Sequence, residues 1–220
     1  MKLFAPEYYK QFKCIADKCT HSCCIGWEID IDEEALLIPE QSLLEATGGE
    51  VFFDGLGLFS SIREKLSYLP EDARLKKLAG HLLNVAQAGQ YNYERCIARG
   101  EHGAAQLALC EFTKSALHTA FLLNKKYIPY YKWAFRALSS LPYLSSLHAP
   151  LTYLISSGNT EKEALQKKQI IEEISATVCN ELRAQDLLAD ETNDLEACAY
   201  AVNDLISNAN IRNMHILFAV

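Results

Sequence analysis

The chain has 220 residues, half of them hydrophobic and 22% charged, with a formal net charge of -7 and a pI near 5.4. That length buries a real core in one or two domains and excludes a disordered or collagen-like chain. The acidic balance excludes general nucleic-acid binding, which needs clustered Lys and Arg, and no run approaches the ~20 apolar residues that span a bilayer. With no signal-like stretch at Met1–Tyr9, a cytoplasmic location is expected.

In chain order, residues 1–33 lack helical periodicity, and Gly26–Asp32 alternates apolar and acidic residues as an extended segment does. Residues 1–36 are read as a small, irregular, cysteine-rich metal-binding module, and 37–220 as a helical bundle, so the fold class is mainly α. Pro39 opens a short helix ending near Gly48-Gly49, followed by an extended piece, Glu50 to Asp54. Helices are predicted near 57–68, 71–98, 102–126, 129–140, 143–156, 161–187 and 194–208. In the second of these, Glu71 and Asp72 sit at the positive end of the dipole, and Leu75, Leu78, Leu82, Leu83, Val85 and Ala86 form an apolar stripe. Arg99-Gly100-Glu101 is short enough to make its two helices antiparallel neighbours. Ile170, Ile171, Ile174, Val178 and Leu182 make a second core stripe.

Eight cysteines in a reducing compartment point to metal or redox chemistry more than to disulfides. Four lie within eleven residues, as Cys14-x4-Cys19-x3-Cys23-Cys24, and a looped backbone brings four soft thiolates within reach of one centre. Such donors select zinc or an iron-sulfur cluster, and the spacing leaves the two open. Lys13 and Lys18 favour the thiolate forms, and His21 is an alternative donor. The competing reading is four ordinary reduced thiols, two of them packed as small hydrophobes.

The pattern Pro6-x-Tyr8, Phe12-x-Cys14, Cys19, Ser22-Cys23-Cys24-x-Gly26-Trp27-x-Ile29-x-Ile31-Asp32 resembles the N-terminal motif of the flagellin lysine-N-methylase family over about 33 residues. The resemblance implies that Cys14, Cys19, Cys23 and Cys24 are iron-sulfur ligands, with methyl transfer from S-adenosylmethionine to a flagellar protein as the associated activity. The family's later Cys-x-x-Tyr-Pro-Arg type element has no counterpart after residue 33, and no Gly-rich loop follows a strand.

A second resemblance covers about 37–156. Gly49–Asp54, Gly89–Cys96, Phe121–Asn124 with Tyr127, and Pro129–Arg136 look like the uncharacterised helical domain at the C-terminal side of certain nucleotidyltransferase-like proteins. It implies a nucleotidyltransferase-like partner, since the Gly-Ser and Asp-x-Asp elements of the catalytic half are absent here.

Helical spacing places Gln87, Tyr91, Glu94, Arg95 and Ala98 on one polar, aromatic face. Lys132 and Arg136 are four apart among Tyr127, Tyr130, Tyr131 and Trp133. Gln90, Tyr91, Arg95, Tyr131, Lys132 and Arg136 are therefore the candidate residues for a nucleotide-like, planar anionic ligand. The competing reading makes the aromatics core and pairs the cations with Glu94 and Glu111, Arg95 being the expected partner of a partly buried Glu111. Arg95 and His102 also meet a loose Arg-x6-His spacing seen in helical ribonuclease toxins, but without a base and a phosphate surface it lacks the parts for that chemistry. His81, His118, His148 and His215 are read as structural, Cys96 and Cys110 as packing residues, and Cys179 and Cys198 as part of the C-terminal helix pair.

These features point to a metal-binding accessory protein, iron-sulfur or zinc, whose bundle holds a nucleotide-like ligand or a partner enzyme. The alternatives are a methyltransferase using a cluster and S-adenosylmethionine, and a helical subunit of a nucleotidyltransferase system.

Overall fold

The computed structural model describes residues 38–220. Cys14, Cys19, Cys23 and Cys24, and the whole module expected over 1–36, lie outside the described residues. Those residues are helical and contain no strand, as the punctuation of the sequence predicts. In order they form α1 (Glu40–Thr47), α2 (Leu58–Lys65), α3 (Glu71–Val85), a π-helical turn (Ala86–Tyr93), α4 (Glu94–Ala98), α5 (His102–Leu123), α6 (Tyr131–Leu138), α7 (His148–Ser156), α8 (Glu161–Ala184), α9 (Leu195–Asp204) and α10 (Ala209–Asn213). Residues 50–54, read as a brief extended piece, pair with no other described segment as a strand and form no helix.

The caps explain the boundaries. At the α4–α5 turn the Glu101 amide donates to the Cys96 carbonyl at 2.9 Å and the Gly100 amide to Ile97 at 3.0 Å, a Schellman closure. It needs the left-handed φ of 74° that Gly100 adopts without a Cβ clash. Thr160 and Glu163 form a reciprocal capping box at the start of α8, and Asp194 caps α9 through the Glu196 amide. The carbonyls at the end of α1 are met from α2: Arg63 donates to Thr47, Gly48 and Gly49.

α3 is the centre of the bundle, packed chiefly against α5 and α9. Both apolar stripes read from the sequence face the core, with Leu78, Leu82 and Leu182 fully buried and Ile170 half-buried at its edge. What the stripe alone does not foretell is that α3 is enclosed on its polar side too: Arg74, Lys76, Lys77 and His81 are all buried. The residues after α9 cover that side. Lys76 Nζ donates to Asn203 Oδ1 at 2.9 Å, to the Arg212 carbonyl at 3.2 Å and to the Met214 carbonyl at 2.7 Å. From α3, Asp72 takes the Ser207 and Asn208 amides, so both ends of this C-terminal segment are tied to one helix.

Two expectations about side chains are corrected. Glu111 is exposed on α5, not partly buried against Arg95, because the helix presents its charged position to solvent while Phe112 takes the core. Cys110 is likewise exposed rather than packed. Cys179 and Cys198 are buried with sulfurs 3.4 Å apart between α8 and α9, and the hydrogen bond to Cys198, then burial, push the Cys179 thiol far up.

The buried tyrosines give the fold an alkaline limit. Burial, more than any neighbouring charge, raises Tyr93 and Tyr127 from 10.0 to about 12, while their hydroxyls donate to Asn159 Oδ1 and the Leu66 carbonyl. Below pH 10 neither state ionises and nothing is lost. Between about 10 and 12 the unfolded chain releases these protons and the folded chain does not, so stability falls by roughly 2–3 kcal/mol for each residue. Urea midpoints measured from pH 8 to 11.5 should decline steeply above pH 10, and less steeply in Tyr127→Phe.

Candidate functional site

Pro129 and Tyr130 lead into α6, a short helix with one strongly apolar side: Ala134 and Leu138 are buried, which turns Tyr131, Lys132, Trp133 and Arg136 outward. Tyr131 is 74% exposed and Trp133 48%, and the Tyr130 and Tyr131 rings sit 4.4 Å apart at 50°. The cations lie on these rings. Lys132 Nζ is 5.5 Å from the Tyr130 centroid and 5.7 Å from that of Trp133, and Arg136 Cζ is 5.3 Å from Trp133.

Among the described residues no carboxylate pairs with Lys132 or Arg136, and Glu94 is taken by Lys168 of α8 instead. Beside them an open cleft of about 420 Å³ separates α6 from α1, lined by Gln41, Leu44, Glu45, Tyr130, Lys132 and Trp133. Glu45 is the one acidic group on the lining, and its Oε1 accepts from Gln41 Nε2 at 2.8 Å.

The other three candidates are elsewhere. Gln87, Tyr91, Glu94, Arg95 and Ala98 do share an exposed face, with Arg95 Cζ stacked 4.1 Å from the Tyr91 centroid and its guanidinium donating to the Tyr91 hydroxyl. This face precedes the N-terminal end of α5, whereas α6 follows the C-terminal end. Neither Tyr91 nor Arg95 lines the cleft beside α6. Gln90 points away from both. Its Nε2 donates to Glu172 Oε2 at 3.0 Å and to the Asn193 carbonyl at 3.1 Å, while its Oε1 accepts from the Leu195 amide at 3.1 Å. Both of its amide donors and its oxygen join the π turn to α8 and the start of α9. The six residues therefore form one open cationic and aromatic face on α6, one small patch at Tyr91–Arg95, and one structural clamp.

Residues 36–134 match the profile of a domain of unknown function, DUF4037. The matched segment runs from the residues before α1 into α6 and includes Tyr131, Lys132 and Trp133. No curated protein and no solved structure matches the chain. No helix among the described residues is long and apolar enough to cross a membrane.

Glu40, His81 and His118 are a cluster that the sequence reading did not bring together: one donor atom from each lies within 4.8 Å of the others. No spacing links three residues on three different helices. The available hint was that His81 and His118 each stand within apolar runs of helix.

Proposed function

We propose that the chain is a cytoplasmic metal-binding accessory protein in which Cys14, Cys19, Cys23 and Cys24 hold an iron-sulfur cluster or zinc and the bundle holds a nucleotide-like ligand on α6. One observation carries the ligand half: two exposed cations, Lys132 and Arg136, rest on aromatic faces with no carboxylate partner among the described residues. A planar base can stack on Trp133 or Tyr131, and a phosphate can pair with cations that no carboxylate among the described residues neutralises. The same pair is what a helical subunit would offer a nucleotide held by a separately encoded nucleotidyltransferase, and residues 36–134 overlap the stretch that resembles such domains.

In a Trp27→Phe background Trp133 is the sole tryptophan, so its fluorescence reports on this face. Addition of ADP or ATP is expected to quench it saturably, and Lys132→Ala or Arg136→Ala to weaken binding about tenfold, the lower end of what a hydrogen bond to a charged group contributes. Quenching that never saturates, or that both variants leave unchanged, contradicts the assignment.

A further inference from the structure

Three helices bring unsatisfied polar groups to one buried point. Glu40 opens α1 and is 5% exposed, His81 lies two-thirds along α3 at 6%, and His118 on α5 keeps 24% of its side chain in solvent. The two imidazoles stack with centroids 4.4 Å apart and planes 15° from parallel, and Glu40 Oε1 stands 3.8 Å from His118 Nδ1. Glu40 Oε2, His81 Nδ1 and His118 Nδ1 are all buried without a hydrogen-bond partner among the described residues. Native interiors pair such atoms almost without exception, and each orphan costs roughly 1–3 kcal/mol. Three at one point call for a common partner.

We propose that Glu40, His81 and His118 form a binding site for a divalent transition-metal ion of the zinc and ferrous class. Two imidazole nitrogens and one carboxylate oxygen are borderline donors that suit these ions and not calcium or magnesium. Burial, ahead of the nearby charges of His118, Lys77 and Lys114, holds His81 well below its usual pKa, so it offers a lone pair rather than a second positive charge. The opposing charge is Lys77 of α3, which feels Glu40 and whose Nζ turns to the Ala219 carbonyl at 3.3 Å; Tyr68 and Tyr127 also feel Glu40 and stay neutral. Tetrahedral donors at about 2.1 Å from an ion lie ~3.4 Å apart, so binding draws the donors inward by roughly an ångström and turns at least one of the stacked imidazoles until its in-plane lone pair meets the ion. The freedom for that lies in His118, which is partly exposed, and in Glu40, on the first turn of an eight-residue helix. A set of three protein ligands leaves a coordination position for water or a ligand atom.

The site shares no residue with the N-terminal cysteines or with the α6 cations, and its test separates them. Full-length chain with Cys14, Cys19, Cys23 and Cys24 all changed to Ser is titrated with cobalt(II), followed by visible absorption. One cobalt per chain is expected, with ligand-field bands, no thiolate charge transfer, and displacement by zinc. Glu40→Gln and His118→Gln should each weaken binding at least about a hundredfold, since even outer-shell changes at metal sites cost 10–100-fold. Circular dichroism establishes that both remain helical, and His118→Gln alone decides the matter if Glu40→Gln does not fold. No cobalt uptake by the chain that lacks the four N-terminal cysteines, or uptake with equal affinity in the folded variants, overturns the site. Loss of thiolate absorption in the parent chain would bear on the cysteine loop alone.

Discussion

Gly89→Ala will destabilise the bundle, by roughly 1–3 kcal/mol, although alanine is ordinarily the better residue in a helix by about 1 kcal/mol. A Cβ built on Gly89 would lie 2.2 Å from Phe112 Cδ2, 2.5 Å from its Cε2 and 3.0 Å from Ile171 Cγ2. Phe112 is fully buried in the middle of α5 and Ile171 is buried on α8, so neither ring nor methyl can retreat without opening a void. Gly89→Leu should prevent folding at 37 °C, because its added volume exceeds what repacking absorbs and total stability is only about 5–15 kcal/mol. Phe112→Leu, itself destabilising, should recover part of the loss in combination with Gly89→Ala. The checks are urea midpoints of the three variants and the non-additivity of the pair. A stabilised Gly89→Ala would show that the π turn does not hold the two helices this close.

Lys76→Met removes the charged donor that three groups of the C-terminal segment share. Asn203 Oδ1 and the Met214 carbonyl lose that bond, while the Arg212 carbonyl keeps a donor from Asn203 Nδ2 at 3.3 Å. Leaving such acceptors without a donor costs about 1–3 kcal/mol each, offset in part because the methionine no longer buries a charge. The expected net loss is roughly 2–4 kcal/mol, concentrated in residues 205–220. Amide exchange should therefore accelerate there before it does in α5, and a protease should nick this segment first. Uniform loss of protection across the chain would place the role of Lys76 in the general core.

The ease with which this sequence yields its helices, and the difficulty of its site, have one physical root. Gly100, Pro39 and the acidic start of α3 are local signals, acting within a turn of where they stand, and the helices begin and end where they say. Gln90, a candidate beside Tyr91 in the sequence, lies in the π turn at Ala86–Tyr93 and is turned toward Glu172 and Leu195, partners from α8 and α9 that no local signal announces. Lys76 and Lys77 look like solvent-facing residues of an amphipathic helix until residues 205–220 fold over them. Glu111 shows the converse, a carboxylate flanked by apolar residues in sequence yet facing water on the helix. Lys132, Trp133 and Arg136 were legible because all three lie on a single short helix. Glu40, His81 and His118 were not, since tertiary packing alone joins α1, α3 and α5.

If the N-terminal thiolates hold a metal as proposed, the metal content and absorption spectrum of anaerobically purified full-length protein will differ from those of its Cys23→Ser, Cys24→Ser variant. Stoichiometric iron with a brown chromophore is expected, or stoichiometric zinc that gives thiolate charge transfer when replaced by cobalt, and loss of either in the variant. Parent protein that is colourless and gives no thiolate-metal absorption after cobalt loading, with a metal content unchanged by the two substitutions, would rule that metal out.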